Sequence, residues 1–494
     1  MASNLVKKIS IYKWRFWISY CVLGLLMLGL LLIAMLYVPG GISEAEQASV
    51  IKSASLKSQD LSSLAVTDLP YHVLQKASFY LFGLSNFSIK LPSILVAFAS
   101  AIGLILLLRH WFKPNVSIIT AAIALVSTQF LFLAQQGTPA IMVVFSSVYI
   151  TLFAYLMVSK TKVAAKLYAI LLALVLAFSL YTPLIGFIVL ALVLGAILHP
   201  HMRYVIRKAG NSPIIIATTL TVLLSLPLVF AIFKNPHLIK DLLLPTFTMS
   251  MDILANLELL AVQFFDFADL HTSSAILAPL YSLPVLMIAF VGIYSLARRK
   301  HSVQNYVITA WLLMIIPLLL ISPVNNEIIL IPMALLIATG IDYILWYWYG
   351  LFPHNPYARI AGLIPLIVLI GGIVVMGASR YFYTFSHDPN AINPISKDLT
   401  IVSSTIKTMN QPAVLVVDQS EKPFYDVFAS VNKLPLQVET ASDVLFKKQY
   451  ANKNILATRK SAPVNQNRIP TRIVANSRAT TDSDRLYIYK NTPR

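Results

Sequence analysis

The chain alternates between long apolar runs and short polar connections, a pattern that predicts membrane-spanning helices. A bilayer span takes about 20 mainly apolar residues. The predicted spans cover residues 16–37, 89–108, 116–134, 140–158, 166–181, 183–198, 213–233, 276–297, 305–322, 328–345 and 360–379. Residues 166–198 are too long for one helix, and Tyr181-Thr182-Pro183 supplies a break because proline interrupts helices. The pattern therefore predicts an all-α polytopic membrane protein with about 11 transmembrane helices.

Two of the connections on one side of the membrane are long enough to carry a function. They cover residues 38–89 and 234–275. Apolar residues recur in them at helical spacing, over 50–56, 71–84 and 253–267, which is typical of helices that lie in the membrane interface. Long ordered loops in a compact protein tend to be functional. We therefore look for the site in these two outer loops.

The chain becomes polar after the last predicted span. Residues 380–494 contain 16 Lys and Arg and 9 Asp and Glu. Short strand-like runs occupy Ala413–Val417, 434–438, 472–474 and 486–489, and a helix-like stretch at 395–409 precedes them. This alternation predicts a small α/β domain. The predicted division is a transmembrane domain over 1–380 and a soluble domain over 381–494.

The composition excludes a soluble enzyme. Hydrophobic residues make up 57% of the 494 and charged residues only 12%, whereas a soluble domain carries about a quarter charged residues. Cys21 is the single cysteine and stands in an apolar run, so the sequence predicts neither an internal disulfide nor a cysteine metal site. The net charge of +18 would suggest nucleic acid in a soluble chain. Here the topology explains it, and no nucleic-acid partner is predicted.

The distribution of charge predicts the orientation. One set of connections, with the N-terminal segment, holds 16 basic residues and a single acid, Asp342. The opposite set, before residue 380, holds ten acids and six lysines. Lys and Arg collect in cytoplasmic loops, so the N-terminus is predicted to be cytoplasmic. The long loops and the C-terminal domain are then extracytoplasmic, at the plasma membrane.

Two carboxylates follow the first span in the sequence Ser43-Glu44-Ala45-Glu46. A carboxylate at this boundary is partly desolvated and could accept a proton from an acceptor hydroxyl. The alternative is helix capping, with Ser43 as N-cap and both glutamates in the first turn. Position alone favours capping, and the two interpretations are compatible because a capped helix end also holds a carboxylate rigidly.

Three stretches of the first outer loop and second span carry a family resemblance. Residues 68–72, 79–85 and 87–93 together resemble GT-C glycosyltransferases of the protein O-mannosyltransferase and aminoarabinose transferase type, and residues 180–183 and 296–299 add to it. The resemblance covers most of residues 10–380. It implies an inverting enzyme that moves a sugar from a polyprenyl-phosphate donor to a protein, lipid or cell-envelope glycan on the outer face.

The resemblance also implies a catalytic base soon after the first span, which falls on Glu44 or Glu46. We favour Glu44 of the two. The family pattern is Asp followed by Glu, and Glu44-Ala45-Glu46 departs from it. Residues 135–139, Gln-Gln-Gly-Thr-Pro, lack the Arg and the acid or Tyr that relatives often carry. A different substrate or a degenerate site would explain these departures equally well.

Further candidates for substrate binding are Asp68, His72, Lys90, Lys234, Asp266 and Asp269. Asp68 could orient an acceptor or bind a divalent cation, and its more ordinary role is a cap for the following helix. A lone histidine such as His72 is more often an interface residue than a ligand. Asp266 and Asp269 could face the sugar or only solvate a helix.

The lysines also have two interpretations. Lys90, which stands where the family usually has Arg, could meet the lipid phosphate as a point charge. It could equally extend to the outer interface and keep its charge in water. Lys234 has the same two interpretations, contact with a lipid phosphate or extension to the outer interface. No zinc-binding spacing such as HExxH occurs, so no zinc site is predicted, and a divalent cation is left as a possible cofactor.

Two other functional classes compete with a transferase. A transporter or flippase places ionisable residues and broken helices at mid-membrane. The predicted spans are nearly free of charge in their interiors and show no matching halves. A catalytically degenerate scaffold is the third class, although it would not need two long amphipathic loops.

Overall fold

The structure is a computed structural model. It describes residues 10–37, 41–57, 64–160, 162–209, 211–243, 252–267, 271–272, 277–298, 303–352, 354, 356–392, 395, 397–409, 413–440, 454–461, 469–475 and 485–489.

Helices dominate the chain up to residue 392. They are α1 (Ser10–Tyr37), α2 (Glu44–Ser55), α3 (Leu69–Phe82), α4 (Asn86–Trp111), α5 (Pro114–Leu125), α6 (Thr128–Gln135), α7 (Ile141–Ser159), α8 (Lys162–Ser179), α9 (Ile185–Leu198), α10 (Pro200–Ala209), α11 (Asn211–Lys234), α12 (His237–Leu243), α13 (Ile253–Phe265), α14 (Leu283–Arg298), α15 (Val303–Ile321), α16 (Leu330–Leu351), α17 (Pro356–His387) and α18 (Pro389–Ile392). A short hairpin, β1 (His271–Thr272) with β2 (Leu277–Ala278), precedes α14, and a 3₁₀ turn, Asn326–Ile329, precedes α16.

Every predicted span has a helix or a bent pair of helices over most of its length. Within the described residues, six helices are long and apolar enough to cross a membrane, or eight if each of two bent pairs is one span. The number of 11 crossings stays a prediction. The predicted break after α8 is confirmed, because α8 ends at Ser179 and α9 begins at Ile185.

Two predicted spans differ from the structure in shape. The span at 116–134 is bent by 58° between α5 and α6. Ser127 causes a new helix start there, since its side chain caps α6 by accepting a hydrogen bond from the Phe130 N–H. The span predicted from residue 276 begins only at Leu283, because Leu277 and Ala278 pair with β1.

The α/β domain is confirmed. It contains α19 (Leu399–Met409), β3 (Ala413–Val417), α20 (Lys422–Val431), β4 (Leu436–Thr440), β5 (Asn454–Thr458), β6 (Arg472–Ala475) and β7 (Arg485–Tyr489). The sheet order is β4-β3-β5-β7-β6, with β3 parallel to β4 and β5, and with β7 antiparallel to its neighbours. Strand β5 was not predicted, since Asn-Ile-Leu-Ala-Thr has few strand-forming residues.

The first outer loop lies between the helix bundle and this domain. Ile42, Val50 and Phe79 of the loop share one apolar core with Phe424 and Phe428 of α20. Burying large apolar side chains stabilises by about 1.5–3 kcal/mol each. The loop is therefore fixed from both sides, by the bundle and by the domain.

Polar contacts set the register of this packing. The Asn432 side chain accepts a hydrogen bond from the Leu84 N–H (2.7 Å) and donates one to the Leu84 carbonyl (2.8 Å). Asn86 donates to Asp398 at 2.7 Å, and the Ile42 N–H donates to the Lys397 carbonyl at 2.9 Å. Both ends of the first loop are thus tied to the C-terminal domain.

We expect Asn432→Leu to weaken this packing. The substitution removes two hydrogen bonds and leaves the Leu84 peptide groups unpaired, so the free energy of unfolding should fall by about 1–3 kcal/mol. Thermal unfolding in detergent measures the change. Ser430→Ala, two residues earlier and exposed, is the matched control. An unchanged melting temperature for Asn432→Leu would mean that the apolar core alone holds the domain.

Candidate active site

A cavity of about 360 Å³ opens at the end of the bundle where the first loop sits. Six segments that are distant in sequence form it: the start of α2, the turn before α3, the α6–α7 region, the α8–α9 turn, strand β2 and the turn before α16. The lining residues are Ala45, Asp68, Phe132, Leu133, Gln136, Thr138, Pro139, Ala140, Val143, Thr182, Pro183, Leu184, Leu277, Val324, Asn325, Asn326 and Glu327.

The walls of the cavity combine apolar and polar side chains. Hydroxyl and amide groups are supplied by Thr138, Thr182, Gln136, Asn325 and Asn326. Among the described lining residues there is no lysine, arginine or histidine, while two are carboxylates. Such a cavity has hydrogen-bonding groups for a polyhydroxylated ligand.

The backbone of the cavity wall is strained at two positions. Asp68 (φ 54°) and Leu184 (φ 65°) both adopt the left-handed conformation. The Asp68 N–H donates to the Tyr181 carbonyl at 2.8 Å, and the Leu184 N–H donates to the Leu242 carbonyl at 2.9 Å. Non-glycine residues in this conformation cost about 1–3 kcal/mol and cluster at functional sites. Both strained residues face the same cavity, which supports it as the functional site.

Asp68 is the more buried of the two carboxylates in the cavity. It is only 6% exposed, and its Oδ1 has no hydrogen-bond partner. Burial raises the pKa of Asp68 to about 7, Thr182 partly offsets the rise, and the charge of Glu327 adds to it. A carboxylate with a pKa near neutrality suits a general base. Asp68 occupies the N-cap position of α3 but makes no capping hydrogen bond, so the predicted capping role is wrong.

Glu327 is the carboxylate that sequence reasoning missed. It lies in the 3₁₀ turn that leads into α16 and lines the cavity together with Asp68. At the start of a predicted span it looked like an ordinary interface acid. Only the pairing of the two chain segments in space reveals it.

Glu46 and Glu44 have opposite environments. The predicted cap is confirmed: Ser43 and Glu46 form a capping box, in which the Ser43 N–H donates to Glu46 Oε2 at 2.6 Å. Glu46 is 1% exposed, and its Oε1 accepts the Gly137 N–H at 2.6 Å. The Glu44 side chain is 75% exposed and pairs with Lys460 at 2.9 Å, which lowers the pKa of Glu44.

Neither glutamate lines the cavity, although Ala45 between them does. Glu46 lies directly behind the wall, because its partner Gly137 stands between the lining residues Gln136 and Thr138. The role of Glu44 or Glu46 as the base stays a prediction, and the geometry favours Glu46 of the two. Each carboxylate oxygen of Glu46 already accepts a backbone N–H, however, and this suits a positioning role better.

Lys90 is the partner of Glu46 in the interior. Its Nζ lies 3.9 Å from Glu46 Oε1 and donates to Gln135 Oε1 at 3.5 Å. The side chain is 1% exposed, so it does not extend to the interface, and that alternative is wrong. Contact with a lipid phosphate stays a prediction.

His72 belongs to a buried network that connects α2 with α3. The Ser53 hydroxyl donates to Gln75 Oε1 at 2.6 Å and therefore accepts from His72 Nδ1 at 2.8 Å, which assigns the proton of the neutral ring to Nδ1. The Gln75 amide in turn donates to the Ile89 and Gly137 carbonyls at 3.1 Å. His72 is 1% exposed and does not line the cavity, so the structure places it in a scaffold for the Gly137 turn.

The environment of His72 predicts acid sensitivity. Burial lowers its pKa from 6.5 to about 4. The unfolded chain then binds a proton below pH 6.5 that the folded chain does not accept until about pH 4, so stability falls as pH drops through this window. The loss should reach about 3 kcal/mol. Thermal unfolding between pH 4 and 7 measures it.

In His72→Gln the acid-dependent loss should shrink relative to the unsubstituted protein. His237→Gln, which changes an exposed histidine, should leave the loss as it is. Equal pH profiles for all three proteins would contradict a buried neutral His72.

The candidates of the second outer loop lie elsewhere. Lys234 is exposed at the end of α11, with its ammonium 5.5 Å from the centre of the Phe230 ring. Asp266 follows α13 and is half-buried, and Asp269 lies outside the described residues. Lys234 and Asp266 do not line the cavity. No group of three or more His, Cys, Asp or Glu in the described part of the chain could hold a metal ion, so a divalent cation stays a prediction.

Comparison with known proteins supports the predicted resemblance. Residues 70–234 match the sequence profile of the dolichyl-phosphate-mannose-protein mannosyltransferase family. The crystal structure of ArnT from Cupriavidus metallidurans bound to undecaprenyl phosphate has a TM-score of 0.60 with this chain, at 12% identity, and the match covers 95% of this chain and 97% of ArnT. The chain has the GT-C fold. The apo state of the same ArnT matches with a TM-score of 0.57, at 12% identity and the same coverage.

The matched segment contains much of the cavity. The α6–α7 connection, with Gln136 and Thr138, and the α8–α9 turn, with Thr182, all lie within residues 70–234. The two carboxylates, Asp68 and Glu327, lie outside it. No curated protein matches the chain in sequence.

Proposed function

We propose that this protein is an integral-membrane glycosyltransferase that uses a polyprenyl-phosphate-linked sugar. The observation that carries the proposal is a cavity lined by two carboxylates, the buried Asp68 and the half-buried Glu327, placed against the first outer loop in a fold shared with ArnT over 95% of the chain. ArnT is recorded with undecaprenyl phosphate. A polyprenyl-phosphate donor for the present chain is the corresponding proposal.

The cavity would hold the sugar, and the lipid chain would lie among the helices. A volume of about 360 Å³ is within the range of small-ligand sites, which have few polar groups on a largely apolar wall. Asn325, Asn326, Gln136 and the two threonines can donate to and accept from sugar hydroxyls. The donor phosphate would remain outside the described lining, which supplies no cation to meet it.

Asp68 would act as the base. The acceptor hydroxyl loses its proton to the Asp68 carboxylate while its oxygen forms a bond to the anomeric carbon. The bond between that carbon and the phosphate oxygen breaks, and the electron pair leaves on the polyprenyl phosphate. Attack opposite the leaving group inverts the anomeric centre. A carboxylate of the first outer loop thus keeps the role that the resemblance implies, at a different position in the loop.

The acceptor would approach from the side that carries the C-terminal domain. The charge asymmetry of the connections supports an extracytoplasmic location for this side, at the plasma membrane. The acceptor would be a protein, a lipid or a cell-envelope glycan. Nucleotide sugars are not expected as donors on that face.

Sugar transfer by the reconstituted protein tests the proposal. The purified chain in vesicles without an ion gradient is given radiolabelled polyprenyl-phosphate sugars and an envelope extract as acceptor. Product formation without a gradient supports a transferase and argues against a transporter. The comparator is Ala140→Phe, which fills the cavity and keeps both carboxylates. Equal product from the two proteins, or gradient-driven movement of the donor without product, would reject the proposal.

A further inference from the structure

A second cavity lies at the opposite end of the bundle from the candidate active site. It has a volume of about 260 Å³ and is formed by α14, α16 and α17. The same helical segment, Asn326–Leu351, carries Glu327 at one end and Trp348 at the other. These positions are 21 residues apart, or roughly 30 Å along a helix, which is the thickness of the hydrocarbon core. The second cavity therefore belongs to the other leaflet.

The walls of this cavity combine aliphatic and aromatic side chains. They are formed by Val291, Tyr343, Ile344, Leu345, Tyr347, Trp348, Gly362, Leu363 and Leu366. Gly362 makes room for the Trp348 indole, because a Cβ there would lie 1.9 Å from the ring. A narrow apolar space open to the bilayer, with amphipathic rings at its mouth, suits one hydrocarbon chain.

Two polar features distinguish the cavity from ordinary lipid-facing surface. The Trp348 Nε1–H is buried and has no hydrogen-bond partner. The Arg298 guanidinium stands at the rim, donates to the Tyr343 hydroxyl at 3.3 Å and lies 5.6 Å from the centre of the Tyr294 ring. The Tyr343 hydroxyl keeps its own proton to donate. No carboxylate occurs among the described lining residues, and the nearby Asp342 is not one of them.

We propose that this cavity binds one anionic glycerophospholipid of the leaflet opposite the active site. One acyl chain enters between α14, α16 and α17, and the headgroup phosphate meets Arg298 and the Tyr343 hydroxyl. The indole N–H donates to an ester or phosphate oxygen. Charge complementarity selects an anionic headgroup, since the site presents a cation and two neutral donors. This inference does not depend on the proposed transferase activity.

Native mass spectrometry of the purified full chain tests the proposal. Dioleoyl phosphatidylglycerol is titrated against dioleoyl phosphatidylcholine, which has the same chains and no net charge. We expect one phosphatidylglycerol to bind about tenfold more tightly than phosphatidylcholine, because both phosphates can meet Arg298 but the choline cation is repelled by the guanidinium. Arg298→Gln should remove this preference. Val291→Phe, which fills the cavity, should weaken the binding of both lipids.

Matched controls separate the site from lipid that merely surrounds the protein. Arg203→Gln changes another exposed arginine, and Leu313→Phe enlarges a lipid-facing residue outside the cavity. Both should keep the binding of the unsubstituted protein. Leu366→Phe replaces Val291→Phe if the latter lowers the melting temperature. The proposal would be overturned if the two lipids bind equally well to the unsubstituted protein. It would also be overturned if the cavity-filling variant binds phosphatidylglycerol as tightly as the unsubstituted protein. Displacement of phosphatidylglycerol by farnesyl phosphate at equimolar concentration would overturn the assignment of the lipid class.

Discussion

Replacing Asp68 by asparagine is expected to lower the rate of sugar transfer by roughly 10²–10⁴-fold, the usual contribution of a general base. Asparagine keeps the size of the side chain and cannot accept the proton. The left-handed backbone at residue 68 also favours Asn as a replacement, because Asn tolerates this conformation better than most residues. The loss should therefore appear in kcat with little change in folding. Initial rates with a saturating polyprenyl-phosphate sugar measure it.

The pH dependence supplies an independent test of the same role. Because the pKa of Asp68 is raised to about 7, activity should rise with pH through neutrality as the carboxylate loses its proton. Asp68→Asn should lack this limb. Asp241→Asn, an exposed carboxylate of the other outer loop, and Glu44→Gln should both keep it. If Glu44→Gln or Glu46→Gln abolishes the limb while Asp68→Asn retains it, the base is one of the glutamates.

Asp68→Asn should lower the activity and should not lower the stability of the protein. The folded pKa of about 7 lies above the unfolded value of 3.8, so the folded state binds more protons between these values. The contribution of Asp68 to stability then falls as pH rises from about 4 to 7. Asparagine removes the cost of burying a charged carboxylate. It breaks no capping hydrogen bond, because Asp68 makes none. A melting temperature at pH 8 equal to or above that of the unsubstituted protein is expected, whereas a fall would indicate an unrecognised structural role.

The second large effect is expected at the Glu46–Lys90 pair. Both side chains are 1% exposed, and Glu46→Gln removes the carboxylate that lies 3.9 Å from the buried Lys90 ammonium. Breaking a buried pair by removing one partner costs about 3–5 kcal/mol. Lys90→Met should cost less, because Glu46 keeps the N–H groups of Ser43 and Gly137. Denaturant or thermal unfolding of both variants checks the order.

The double variant decides how strongly the two charges are coupled. Replacing both charges by neutral groups removes the uncompensated ammonium, so Glu46→Gln with Lys90→Met should be more stable than Glu46→Gln alone. The exposed pair of Glu44 and Lys460 is the matched control, and its removal should cost about 0–1 kcal/mol. Additive losses at Glu46 and Lys90 would contradict the buried pair.

Glu46 is also expected to influence catalysis through the cavity wall. Its bond to the Gly137 N–H holds the connection that presents Gln136 and Thr138. Small displacements of positioning groups lower rates strongly. The buried His72, Ser53 and Gln75 network holds the same turn from the other side. The two glutamates and the histidine that sequence reasoning selected thus surround the cavity or its scaffold without lining it.

Several features could be read from the sequence because they depend on local pattern or on bulk solvent preference. Apolar runs of about 20 residues are stable only in the hydrocarbon core of a membrane or in a protein interior. The helices therefore coincide with these runs. The Ser43 cap follows from residues three apart in the chain, and the GT-C fold follows from an ordered series of short motifs. Strand β5 and the bend at Ser127 were not predicted, because their sequence signals are weak and their neighbours decide them.

Which carboxylates line the cavity is determined by the tertiary structure. Glu44, Glu46 and Asp68 are three acids of one predicted loop, and their sequence surroundings do not show which of them faces a cavity. Glu44 pairs with Lys460 at the surface. Glu46 is buried against Gly137 and Lys90. The Asp68 N–H donates to the Tyr181 carbonyl, and Asp68 lines the same cavity as Glu327. Each of these partners is remote in the chain. Burial and partnership fix the charge and reactivity of a carboxylate, and both exist only once the chain is folded.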